Sequence, residues 1–167
     1  MKTMDAPETA RLLDETLKTL ATLAGLDPKV LRQSYAPGKW TAAEIFAHLA
    51  FVDAVFLYRF LKAVAEDGSV IVPFDENLWQ KELEAATQPV AVSLATIVAA
   101  HTMLHHLVGT LPAARLARVA QHPERGPMSA LRLAGITAGH ALHHARQIEA
   151  IRDGRSWSKA EAVSYYE

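Results

Sequence analysis

Apolar residues recur along this chain at intervals of three and four, and they scarcely ever alternate with polar ones. That spacing is the signature of helices with one buried face. A first helix is expected from about Glu8 to Leu23, with Leu12, Leu13, Leu17, Leu20 and Leu23 on its stripe and Gly25 closing it. Asp27-Pro28 opens a short turn of helix, and Pro37-Gly38 marks a loop before the next long segment. Thr41 followed by Glu44 is a capping-box pattern, so a second long helix should run to about Glu66 and stop at Asp67-Gly68. Ser69 to Asp75 reads as loop, and Glu76 to Leu83 as a short helix. Pro89 fits a first helical position and opens a third long helix ending near Gly109. Between Ala113 and Pro127 the pattern is irregular. Ser129 then caps a fourth long helix reaching Arg152, with Gly154 just beyond.

Four long helices joined by two substantial crossovers predict an all-α protein, a four-helix bundle. No repeat or linker divides it, so residues 1–154 are expected to form one domain. Residues 155–167 read as a loose tail carrying Trp157, Tyr165 and Tyr166. At 167 residues the chain can bury a sizeable core. The net charge of −1, with no basic block, gives no reason to expect nucleic acid. The longest apolar stretch, Ile45 to Leu57, is interrupted by His48 and Asp53, and no signal-like segment opens the chain. A cytoplasmic protein without a membrane partner is therefore expected. Cysteine is absent, which removes disulfides, thiolate ligands and a cysteine nucleophile. His, Asp and Glu remain as strong metal ligands.

Advancing about 100° per residue puts Thr41, Glu44, Ile45, His48, Val52, Val55 and Arg59 on one side of the second long helix. The same arithmetic groups Leu133, Ile136, His140, His144, Gln147 and Ile151 on the last. Each stripe is apolar except for those polar members, which are thereby directed toward the bundle axis. Burying an unpartnered polar side chain costs about 1–3 kcal/mol, so several on facing stripes call for a common explanation. Three neutral imidazoles converging on a divalent metal would supply one.

A plainer reading stands beside it. A single histidine on an apolar stripe is more often a satisfied core residue than a ligand. His101 and His105 form a second pair at the same spacing, on a stripe with Leu94, Val98 and Val108, and His143 is offset from His140 by three. Spacing alone does not choose among these. Tyr35 and Trp40 read as packing residues, His122 as an exposed loop residue, and Arg115, Arg118, Arg125 and Arg132 as a solvated surface group.

The motifs GKWTAAEIFAHLA, LYRF, PFDENLW, HPERGPMS and GHALHHARQI follow one another between Leu12 and Arg152. In that order the chain resembles the DinB/YfiT-like family of metal-binding four-helix bundles. The resemblance implies that His48, His140 and His144 are the metal ligands, zinc or nickel being the metal. It places His101 and His105 near the pocket, and it draws attention to Arg59 and Asp75 in their motifs. It implies a metal-dependent hydrolase or a thiol S-transferase using bacillithiol or mycothiol, and it leaves room for a homodimer.

With such a site, a metal would activate water or a low-molecular-weight thiol against a small-molecule substrate. The zincin pattern H-E-x-x-H is not met, because Ala141 follows His140. A proton acceptor must come from elsewhere. Glu44, one turn before His48, Asp75 and His101 are the candidates, and Arg59 is a candidate to neutralise a carboxylate on a ligand. The alternative is a non-catalytic metal-binding or stress-related bundle.

Overall fold

The computed structural model describes residues 4–163, and Tyr165 and Tyr166 lie outside them. Its four long helices are α1 (Ala6–Leu23), α3 (Ala42–Ala65), α5 (Val90–Thr110) and α7 (Ala130–Arg152). Three short ones accompany them: α2 (Pro28–Leu31), α4 (Glu76–Glu82) and α6 (Ala113–Leu116).

Three of the four long helices, α1, α3 and α7, begin where a side chain supplies an orphan N–H group with an acceptor. Asp5 accepts from Glu8 N at the start of α1, and Ser129 from Arg132 N at the start of α7. At α3 the full capping box forms: Thr41 Oγ1 accepts from Glu44 N, while Glu44 Oε2 accepts from Thr41 N. Gly154 follows α7 with φ +64°, the left-handed conformation that favours glycine past a helix end. Pro89 sits one position earlier than expected, as the cap residue of α5.

The bundle is built by α1 and α3 each packing against both α5 and α7, which sets α1 diagonally opposite α3. The connections from α1 to α3 and from α5 to α7 therefore run across the diagonal of the bundle, whereas α3 and α5 are neighbours. Two apolar clusters fill it. One gathers Leu13, Phe56, Phe60, Leu104, Leu133 and Ile136; the other gathers Leu20, Ile45, Phe46, Leu49, Ile97 and Ile148.

Inside this apolar frame several polar side chains are buried, among them His48, Asp53, Arg59, His101, His140, His144 and Gln147. The stripe expected for α5 is only partly buried: His101 and Val108 face inward, but Val98 and His105 are exposed. By length and composition α5 is also the one helix among the described residues apolar enough to cross a membrane, with mean hydropathy 1.4. In the bundle it is packed on α1 and α3.

Both crossovers hold strand that the apolar pattern did not suggest. β1 (Ser69–Val70) pairs in parallel with β2 (Val119–His122), which pairs antiparallel with β3 (Gly126–Ser129). The segment expected to be irregular is therefore α6 followed by a hairpin, and the segment expected to be loop contributes an edge strand. Ala120 and Met128, opposite each other in β2 and β3, turn into the core. Asp67 Oδ1 accepts from Val119 N and Arg118 donates to Val64 O, so the two crossovers are stitched together at the end of α3. Nor is the tail loose at its start: the Trp157 ring lies 5.7 Å from Tyr35 and 4.9 Å from His143, and Val163 N donates to His143 Nδ1.

Candidate metal centre

His48 lies two turns into α3, and His140 and His144 lie one turn apart on α7. The packing of α3 against α7 brings the three rings together. Nε2 of His48 and Nε2 of His140 are 3.1 Å apart, and Nε2 of His140 and Nε2 of His144 are also 3.1 Å apart. One nitrogen from each ring lies within 4.8 Å of the others. Two nitrogens bound to one ion at about 2.0–2.1 Å stand about 3.3 Å apart at a tetrahedral angle and about 2.9 Å at a right angle. The observed spacing falls between these values, so the residues fit a divalent cation.

The protonation of the rings fits it as well. Nδ1 of His144 lies 2.7 Å from Gln147 Oε1, which makes Nδ1 the protonated nitrogen and turns the Nε2 lone pair into the cluster. Burial, reinforced by neighbouring histidines, pushes His48 down to about 4 and holds His140 and His144 well below the ordinary imidazole range. Neutral imidazoles are the form that ligates a metal. The indole of Trp40 shields one side, its ring 4.7 Å from His48 and 6.4 Å from His144.

The four further candidates fall in different places. Glu44 is committed to the capping box, where its Oε2 accepts from both Thr41 N and Thr41 Oγ1. Asp75 is exposed and caps α4, accepting from Asn77 N and Leu78 N. Arg59 is buried, donates to Val72 O, and lies over the rings of Phe56 and Phe74 at 5.0 and 5.3 Å.

His101 pairs with Asp53, Nε2 to Oδ2 3.1 Å, both fully inside the bundle. Burial disfavours the His101 cation, but the charge and hydrogen bond of Asp53 outweigh it, so His101 titrates above the ordinary range. Burial pushes the Asp53 carboxyl up, against the pull of His101.

The carboxylate nearest the cluster is one the sequence did not single out. Glu76, in the first turn of α4, places Oε2 3.9 Å from His48 Nε2. Burial raises its carboxyl above the ordinary range, partly offset by Arg59. An acidic residue in a first helical turn is so common a partner of the helix dipole that its type alone carried no signal.

One cavity reaches the cluster and a second adjoins Glu76 beside it. One, of about 270 Å3, has His144 and Gln147 in its wall with Tyr35, Lys39, Trp40 and Asn77. The other, of about 230 Å3, starts at Glu76 and extends along Arg59 to the β2–β3 hairpin. Tyr35 and Trp40 thus line a cavity in addition to packing.

Residues 11–148 match the family model of the DinB superfamily. The chain belongs to that superfamily. A protein of Oceanobacillus iheyensis, provisionally named a metal-dependent hydrolase, is 32% identical over 136 residues, 81% of this chain and 78% of its own. One from Geobacillus kaustophilus, named in the same way, is 30% identical over 149 residues, 88% of this chain and 82% of that one. Among solved structures, YfiT from Bacillus subtilis superposes with a TM-score of 0.79 at 23% identity, covering 93% of each chain. It is described, also provisionally, as a metal-dependent hydrolase with an unusual four-helix bundle topology. The mycothiol-dependent maleylpyruvate isomerase superposes with a TM-score of 0.68 at 13% identity, over 89% of this chain and 63% of that one. These likenesses agree with the bundle and its diagonal crossovers.

Proposed function

We propose that His48, His140 and His144 hold a divalent metal, zinc or nickel, in an enzyme that activates water or a low-molecular-weight thiol against a small-molecule substrate. The observation that carries this reading is the 3.1 Å spacing of the Nε2 atoms from two helices, with Gln147 fixing the tautomer of one ring. When bound, such a metal acts as a Lewis acid that lowers the pKa of a water or thiol. Three protein ligands leave room for one more. The rest is done by side chains. Glu76 is placed to take a proton beside His48, its own carboxyl raised by burial toward the range useful for a general base. Gln147 holds His144 in orientation, and Trp40 excludes water from one face of the rings.

Between water and thiol, thiol transfer is the reading we favour. A hydrolase needs one organic site, whereas transfer needs two, and of two separate cavities one is walled by His144 and the other by Glu76 beside His48. The described relatives include one solved enzyme whose name makes it mycothiol-dependent. This chain has no cysteine, so the thiol must be exogenous.

The test is turnover of an electrophile such as monochlorobimane by zinc- or nickel-loaded protein, with bacillithiol, mycothiol, glutathione or no thiol. Thiol-dependent product formation that His140→Ala abolishes supports transfer. Product equal with and without thiol favours hydrolysis, and none in any arm leaves a metal-binding bundle without this chemistry.

A further inference from the structure

The cavity that starts at Glu76 is charged at both ends, and the two ends differ. Its near end carries the Glu76 carboxylate, beside His48. Its far end carries Arg125 on the turn of the hairpin, with His122 between strand and turn, and Arg59 on the buried wall lies within electrostatic reach of both Glu76 and His122. Arg125 is exposed, as the sequence suggested, and His122 is half-buried rather than an exposed loop residue; the hairpin brings both to the wall of the cavity. Its lining is mainly polar, and Phe56 of α3, Leu133 of α7 and Met128 of β3, all nearly fully buried, add a small apolar part.

The local backbone explains the far end. His122 pairs with Gly126, so Pro123, Glu124 and Arg125 form a three-residue turn closed by a glycine at φ +70°. Within it Nδ1 of His122 accepts from Glu124 N and Arg125 N, which leaves the ring proton on Nε2. Burial and the charges of Arg59 and Arg125 together lower His122, an indication that both guanidiniums act on this end. The exposed Glu124 opposes them there. The Arg59 guanidinium, flanked by Phe56 and Phe74 and tied to Val72 O, has little freedom, which suits it to receive a planar anion.

We propose that this cavity is the subsite for the carboxylate end of the substrate, held by Arg59 and Arg125, with the reacting end directed past Glu76 to the histidine cluster. The inference rests on the metal-centre reading and narrows its substrate to a small organic acid. The dimensions agree. Phe56 lies eight residues beyond His48 on α3 and Leu133 seven before His140 on α7, each a separation of about 10–12 Å along its helix. At about 230 Å3 the cavity is smaller than those that take drug-sized ligands.

The experiment compares two probes of one shape, 4-phenylbutyrate and 4-phenylbutan-1-ol, by isothermal titration into the full chain. Wild type, Arg59→Gln and Arg125→Gln are each titrated after chelation and again after zinc loading. The acid is expected to bind wild type about ten-fold more tightly than the alcohol in both metal states, a preference that Arg59→Gln removes and Arg125→Gln reduces several-fold. Because the Arg125 side chain is exposed, Arg125→Gln carries the test if Arg59→Gln does not fold.

A preference that disappears on chelation but survives both substitutions would put the carboxylate at the metal and overturn the proposal. So would equal affinity for the two probes, or no binding of the acid up to about 10 mM. Failure of the metal reading is distinguishable, because zinc would then not bind while the acid preference of the chelated protein persisted.

Discussion

Glu76 lies in the first crossover and His48 two turns into α3, and Glu76 Oε2 stands 3.9 Å from His48 Nε2 at the point where α4 begins. The contact puts a half-buried carboxylate next to the histidine cluster on the side that opens into a cavity. Replacing it by the isosteric amide keeps the packing and removes the proton acceptor. Glu76→Gln is expected to bind metal at the wild-type stoichiometry and to lower kcat about 100-fold. A variant with unchanged kcat would remove Glu76 from the mechanism.

Glu44 provides the contrast, since its carboxylate is occupied by the backbone and hydroxyl of Thr41. Glu44→Ala and Thr41→Ala should each cost about 1 kcal/mol of stability, read in chemical denaturation, with metal content and turnover retained in the folded protein. A loss of turnover in Glu44→Ala without a matching loss in Thr41→Ala would show that the carboxylate acts on the reaction.

Asp53 and His101 form an ion pair with no surface exposure to speak of, 0% and 1%. Removing one partner strands the other in an apolar interior. Asp53→Leu or His101→Leu alone is expected to destabilise the fold by about 3–5 kcal/mol, whereas the two together should recover most of that loss. Denaturation of the four proteins gives the coupling directly. Additive single and double effects would mean that the pair is not acting as a unit.

The cluster also sets a pH dependence. His48 titrates at about 4 in the folded chain against about 6.5 when unfolded, so between those values the unfolded chain binds more protons. Stability must therefore fall as pH drops through that window, by about 3 kcal/mol from His48 alone, and His140 and His144 act in the same direction. Thermal melts of chelated protein from pH 7.5 to 4 should show a steep decline that His48→Leu softens. A melting temperature flat across that range would contradict neutral burial of the three rings.

The four long helices and the facing histidines were legible because both depend on periodicity along one segment. Val52 and Val55 with His48, or Ile136 with His140, report a buried face without reference to any other part of the chain. The β1–β2–β3 sheet was not legible, because two- and four-residue strands carry too little alternation, and their register is set by backbone pairing between crossovers. Glu76 and Arg125 became site residues through that same long-range pairing and docking. His105 misled for the opposite reason: α5 has apolar residues around much of its circumference, so its pattern did not define which face was buried. The Thr41–Glu44 pattern was read correctly as a cap, and the Oε2 of Glu44 is engaged by Thr41. Trp157 reaches His143 only by the chain folding back after Gly154.

Elemental analysis of protein purified without a histidine tag tests the central claim most directly, paired with circular dichroism of His140→Ala. The account predicts about one zinc or nickel ion per wild-type chain, as purified or after reconstitution, and loss of that ion in His140→Ala with helical content preserved. Wild-type protein that holds less than about a tenth of an equivalent after reconstitution, or a His140→Ala variant that holds as much as wild type, would contradict it.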